Sequence, residues 1–173
     1  MNVYEAIKTK RAIRKFEDTP IPQDQINKIL NAGRRAQSAK NSQPWHFISI
    51  TNKGTLKKLS KMGLFAGHLA DAALAIAIIT PPPEKRFSIM FDAGQSASYM
   101  QLIAWELGIG SCLATIYNPD KARPLLEFPQ SKEIRIAISF GYPASKYLKP
   151  RKPKNKGRRK IDDVVHVEKW TGK

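Results

Sequence analysis

Two short stretches of this sequence carry side chains whose types and spacing suit ligand chemistry. Lys10, Arg11 and Arg14 stand close together around Ala12 and Ile13. A guanidinium fork binds two oxygens of one phosphate and an ammonium adds a point charge, so the spacing suits a phosphate monoester held by charge-assisted hydrogen bonds. An isolated K-R-x-x-R is more often a solvated basic face behind a helix; what raises it here is its companion. That companion is Ser38-Ala39-Lys40-Asn41-Ser42-Gln43-Pro44-Trp45, where small and amide side chains take the place of ordinary turn residues. Amide side chains and loop N–H groups can hydrogen-bond the edge of a planar heteroaromatic ring. Pro44 removes a backbone donor and is expected to force Gln43 into an extended conformation, which would hold its amide in place. Trp45 reads as core. Together the two stretches fit a mononucleotide, with a phosphate at one end and a ring at the other.

The other reactive side chains exclude more chemistry than they offer. Cys112 is the single cysteine, so neither an internal disulfide nor a cysteine-paired metal site is available; it reads as a small buried hydrophobe in an apolar surround. His46, His68 and His166 lie far apart and form no H-x-x-x-H pair, which argues against zinc. Gly108-Ile109-Gly110 invites comparison with a dinucleotide fingerprint, but Leu113 stands where the third glycine belongs and the motif follows a helix rather than a strand. A Rossmann site is rejected. Neither a phosphate-binding G-x-x-x-x-G-K-[ST] nor a nucleophile elbow is present. Asp92 reads as a cap or a cation's partner rather than a catalyst. Where residues supply binding and no side-chain catalyst, the hard chemistry is expected to belong to a cofactor.

To position these groups, the 173 residues, 42% hydrophobic, are expected to form one α+β domain around a single sheet, since the length supports one core and is short for two. Residues 3–10 read as a short helix and 16–22 as an extended link. Over residues 23–37 the apolar positions Ile26, Ile29, Leu30, Gly33 and Ala36 recur at three and four, giving one buried helical stripe. Residues 44–51 read as a strand, so the amide-rich stretch is a helix-to-strand junction. A helix is expected over 55–61 and a central strand over 72–80, closed by Pro81-Pro82-Pro83. The longest helix spans 87–107, with small residues on two faces. A strand over 111–116 follows, then a helix over 119–126 with Asn118 as N-cap, and a strand over 133–140.

The formal net charge of +16 raises nucleic acid or an anionic membrane as partners, but its distribution weighs more. Residues 146–160 hold nine Lys or Arg and no acid. Three readings of this segment stand side by side: a solvated tail, a polyanion patch and part of a phosphate site, with Arg158 or Arg159 ordered. A nucleic-acid-binding module built on it is the runner-up function, and no DNA- or RNA-reading motif accompanies the charge. No run of 18 apolar residues and no apolar leader occurs, so a cytoplasmic protein without membrane partners is expected.

The motifs K-R-A-I-R-K-F from Lys10, S-A-K-N-S-Q-P-W from Ser38, D-A-G-Q-S-A-S-Y-M-Q-L from Asp92 and L-G-I-G-S-C from Leu107 together resemble the nitroreductase family of flavoproteins. The resemblance runs nearly the whole length. It implies an α+β nitroreductase-like fold with a central mixed or antiparallel sheet flanked by helices, and an intertwined homodimer that binds FMN at its interface. It also implies ping-pong hydride transfer from NADH or NADPH, by way of the flavin, to nitroaromatics, quinones or similar acceptors. A flavin-fold relative with another reaction, dehalogenation or flavin destruction, is the alternative. Carried over residue by residue, Lys10, Arg11 and Arg14 would hold the FMN phosphate. Ser38, Ala39 and Asn41 would line the ribityl chain and ring edge, with Gln43 at the interface. The backbone at Leu113, Ala114 and Thr115 would face the reactive ring edge, and Arg159, with Arg158 as competitor, would close on the phosphate. The long helix would form the dimer core, and residues 161–173 would be an arm extending to the partner. Ala12 stands where the family often has serine, which removes one hydroxyl contact to phosphate. The chain also lacks room between Ala70 and Phe87 for the helical insertion of longer members, so a more open pocket is expected.

Overall fold

The computed structural model describes residues 1–145 and 157–172. Four strands, β1 (His46–Ile50), β2 (Leu74–Thr80), β3 (Gly110–Thr115) and β4 (Glu133–Gly141), form one sheet in the order β1-β2-β4-β3, and every ladder is antiparallel. Of the mixed or antiparallel alternatives, the named strands follow the second; the parallel element is an isolated bridge from Ala12 to Ser111. The continuous apolar run of β2 has a simple cause. It lies inside the sheet with helices on both faces, and all seven of its residues are buried.

One face is covered by α2 (Gln23–Arg34) and α4 (Ser88–Glu106), which close Ile29, Ile76, Ile78, Met100 and Ile138 into a core. The other face is covered by α3 (Lys53–Leu59), α5 (Pro119–Leu126) and a 3-10 turn, Ala66–Leu69, over Leu56, Leu59, Leu69, Ala77 and Ile134. Gly33 lets α2 approach α4, since a side chain there would strike Met100, and the Ser96 hydroxyl donates to the Gly33 carbonyl at 3.0 Å. The small residues Ala93, Ala97 and Ala104 of α4 are buried within the chain's own core. Two local expectations fail. The helix predicted over 23–37 ends at Arg34, although Ala36 is still buried. Asn118 makes no side-chain cap; its backbone N–H donates instead to the Met62 carbonyl.

The element that positions the basic stretch is a strap. The first helix, α1 (Val3–Thr9), ends at Lys10, where ψ turns to 134° and the chain becomes extended. Ile13 N–H donates to the Ser111 carbonyl at 3.0 Å, Ala12 bridges to Ser111, and Phe16 bridges to Pro143, so the strap runs beside the start of β3 and the end of β4. Glycines make the approach possible. A Cβ on Gly110 would come within 2.7 Å of the Ile13 Cβ, and one on Gly141 within 2.8 Å of the Phe16 ring. The Ile13 Cβ is fixed to the backbone and cannot rotate away, so Gly110→Ala is expected to displace the strap at a cost of about 1–3 kcal/mol. Urea unfolding measures it; an unchanged midpoint would mean that the strap is not seated as described.

Candidate cofactor site

Alternate residues of an edge strand turn both backbone groups outward. In β3 the Ser111 carbonyl accepts from the strap, whereas Ile116 N–H just beyond the strand donates to the Arg135 carbonyl next to β4. By alternation Leu113 and Thr115 present their N–H groups to the free edge. The edge is covered at both ends: Ala12 and Ile13 lie beside Ser111, and Gly63 rests against the Thr115 carbonyl, with Tyr117 N–H donating to Met62. Between them the Leu113 carbonyl accepts from the Cys112 thiol at 3.6 Å, while the Leu113 N–H has no backbone partner among the described residues. The side chains of Leu113 and Thr115 are exposed, while Ala114 is buried in the core and offers only its backbone. The structure thus joins the cations of the strap to the strand predicted to face a ring.

Behind this edge lies a buried polar cluster. Lys10 and Arg14 both bring their charge to the Cys112 sulfur, and Arg14 hydrogen-bonds it. Cys112 is buried as expected, but its surround is not apolar. Burial pushes the thiol up, opposed by Arg14 and Lys10; burial also lowers Lys10, opposed by Cys112. His68, 6% exposed, holds the Ser139 hydroxyl at 2.7 Å through Nδ1, and Ser139 donates to the Cys112 carbonyl at 3.3 Å. Burial first, then the Arg14 charge, lowers the His68 pKa to about 4, against a weaker opposing effect of the Leu113 carbonyl.

The amide-rich stretch forms a second, separate group. Its 3-10 turn, Ala39–Asn41, leads into a loop in which Lys40, Asn41 and Gln43 take φ of 55°, 51° and 42°. Left-handed backbone at non-glycine residues is uncommon, and three cases within four residues mark a segment held in place by its surroundings. Gln43 is therefore not extended as predicted. Its N–H donates to Ser38 Oγ at 2.9 Å, and that bond curls the chain back before Pro44. Ala39 N–H donates to Asp92 Oδ1 at 3.1 Å, so Asp92 pins the turn to α4. Arg86 hydrogen-bonds Ser42 and lies 3.8 Å from Asp92 Oδ2. Trp45 is core, as expected.

The two groups do not meet within one chain. The turn enters β1 at one edge of the sheet and the strap borders β3 at the other, three inter-strand steps or about 14 Å away. Along α4, Asp92 holds the turn while Trp105 Nε1 donates to Thr9 beside the strap, a helical distance of about 20 Å. Arg158 and Arg159 are exposed and form no hydrogen bond or ion pair with a described residue; residues 146–156 of the basic segment lie outside the described residues. Sequence reasoning noticed His68 only as a missing zinc ligand and passed over Arg86; nothing in their local sequence marks either one. Among the described residues, no group of three or more His, Cys, Asp or Glu could hold a metal, and no helix is long and apolar enough to cross a membrane.

A model of the Nitroreductase family matches residues 7–64 and 59–142. The chain belongs to the nitroreductase family. The matched region of the family includes the strap, the amide-rich turn and β3, and stops short of Arg158 and Arg159. A Methanothermobacter thermautotrophicus protein whose assigned name is NADH dehydrogenase/NAD(P)H nitroreductase is 31% identical over 178 residues, covering 98% of this chain and 88% of the relative. The FMN reductase [NAD(P)H] of Bacillus subtilis is 27% identical, covering 87% of this chain and 70% of that protein. The solved structure of an FMN-dependent nitroreductase from Clostridium difficile superposes with a TM-score of 0.83 at 31% identity, covering 95% of this chain and 98% of that one.

The buried histidine gives the site a pH signature. His68 is neutral in the folded chain down to about pH 4, whereas the unfolded chain protonates it below about 6.5. Between those values the unfolded state binds more protons, so stability falls as pH falls, by at most about 3 kcal/mol. His68→Gln should flatten that acid limb in urea unfolding measured across the window. An unaltered limb would contradict the assignment.

Proposed function

We propose that the chain is an FMN-dependent oxidoreductase that uses NADH or NADPH to reduce nitroaromatic, quinone or similar acceptors, and that it works as a homodimer. The observation that carries the proposal is the pairing of the Leu113 N–H, turned to the uncovered middle of the β3 edge, with the cations of the adjoining strap. Lys10, Arg11 and Arg14 would hold the phosphate. The strand's outward N–H groups would meet the ring edge, where a fixed donor stabilises charge that develops during reduction. Bound FMN would supply the two-electron chemistry, and the residues around it bind, orient and polarise.

The homodimer follows from what one chain leaves incomplete. Ser38, Ala39, Asn41 and Gln43 are held in a ligand-ready turn at the far side of the same chain, so a second copy would supply them to the first copy's open edge. Two exposed surfaces support this reading. The arm's described residues, 161–172, and the preceding 157–160 make hydrogen bonds only among themselves within the described residues, and Ile161, Val165, Val167 and Trp170 are exposed. A groove of about 790 Å³, walled by Val3, Ala32, Tyr99, Leu102, Ile103 and Leu107, lies open between α1, α2 and α4. Apolar surface of this kind on both elements marks an association face. Arg158 or Arg159 would reach the phosphate once the arm is seated.

The purified protein is expected to be yellow, to release FMN on denaturation, and to bleach when NADH or NADPH is added without oxygen. A colourless protein that cannot be reconstituted with FMN would overturn the proposal.

A further inference from the structure

A second cavity, of about 400 Å³, opens beside the amide-rich turn, and its charge is one-sided. It is lined by Ser42, Gln43, Pro44, His46, Pro81, Lys85, Arg86, Ile89 and Lys132, with three cations, one imidazole and no carboxylate. The imbalance is built into the fold. Glu84 and Glu133 are the sequence neighbours of Lys85 and Lys132, yet both turn away to Arg135, at 3.0 and 2.7 Å. Lys132 Nζ is left facing His46 Nε2 at 3.3 Å, and the side chain of Lys85 has no partner among the described residues. Arg86 is fixed by Ser42, with Asp92 standing behind it, while its buried Nε has no hydrogen-bond partner among the described residues. Pro44, Pro81 and the buried Ile89 supply an apolar floor under this cationic rim.

A cationic rim over an apolar floor fits an organic phosphate with a flat apolar body. Cations without a carboxylate among them favour a dianion, and a planar fork such as Arg86 favours phosphate geometry. Gln43 belongs both to this cavity and to the turn assigned to the ring edge. A ligand stacked on that ring can therefore extend its far end into the cavity. Resting on the flavin oxidoreductase reading above, we propose that this cavity takes the adenosine end of the nicotinamide dinucleotide, with Lys85, Arg86 and Lys132 selecting its 2′-phosphate, so that NADPH is preferred to NADH.

The test uses the flavin-loaded protein, wild type and the double variant Lys85→Gln/Lys132→Gln, with 2′,5′-ADP and 5′-ADP as probes in calorimetry. The wild type is expected to bind 2′,5′-ADP more tightly than 5′-ADP, and the double variant to weaken 2′,5′-ADP by about tenfold or more, the scale of losing charge-assisted hydrogen bonds. The ratio of kcat/KM for NADPH over NADH should fall in parallel. Equal binding of the two probes by the wild type, or a double variant that keeps the wild-type difference, would overturn the proposal. Flavin absorbance of both proteins is read separately: its loss from the wild type would defeat the oxidoreductase reading, whereas its retention with indifferent probe binding would defeat only the assignment of this cavity.

Discussion

The structure depends on one constraint of backbone hydrogen bonding: an edge strand leaves every second peptide group without a partner. In β3 those groups belong to Ser111, Leu113 and Thr115, and a sheet that left all of them open would invite pairing with another strand. The fold closes both ends of the edge and leaves the middle. Ile13 satisfies Ser111, the loop around Gly63 covers Thr115 from the other side, and the strap that does the first job carries Lys10, Arg11 and Arg14 with it. The same backbone demand thus sets the polarity of the edge and delivers cations to it. Gly110 and Gly141 are the sequence features that let the strap come close enough.

Electrostatics adds the second layer. Lys10 and Arg14 are held over a thiol pushed up by burial and an imidazole held neutral, so the positive charge has no buried anion to neutralise it there. Lys10 is half-buried and carries part of that desolvation, while Arg14 stays exposed to solvent. The amide-rich turn shows the same economy in backbone form: three left-handed residues are kept in place by Ser38 Oγ and by Asp92, which also faces Arg86. The conformation of this segment is thus set by tertiary hydrogen bonds rather than by its own sequence.

Much of this was legible in the sequence because it was local. The proline-bounded run became β2, the small-residue stretch became α4, and the amide-rich stretch became the turn that leads into β1. What stayed hidden was set by distant residues. Gln43 follows Ser38 Oγ rather than the preference imposed by Pro44, and Asn118 gives its N–H to Met62 instead of capping α5. Cys112 looked apolar because Lys10 and Arg14 are about a hundred positions away. Strand order cannot be read from motif order either, so two motifs that look like one wall of a pocket lie at opposite edges of one sheet.

A mixed dimer tests that separation directly. Arg14→Ala breaks the phosphate half of a site, and a double variant Asn41→Ala/Gln43→Ala breaks the ring-edge half. Each homodimer should bind FMN poorly at both sites. Co-expressed with different affinity tags and purified as the heterodimer, the two variants should regain flavin at one site, where intact Arg14 of one chain meets the intact turn of the other. A heterodimer that binds no more FMN than either parent would contradict a site shared between two chains.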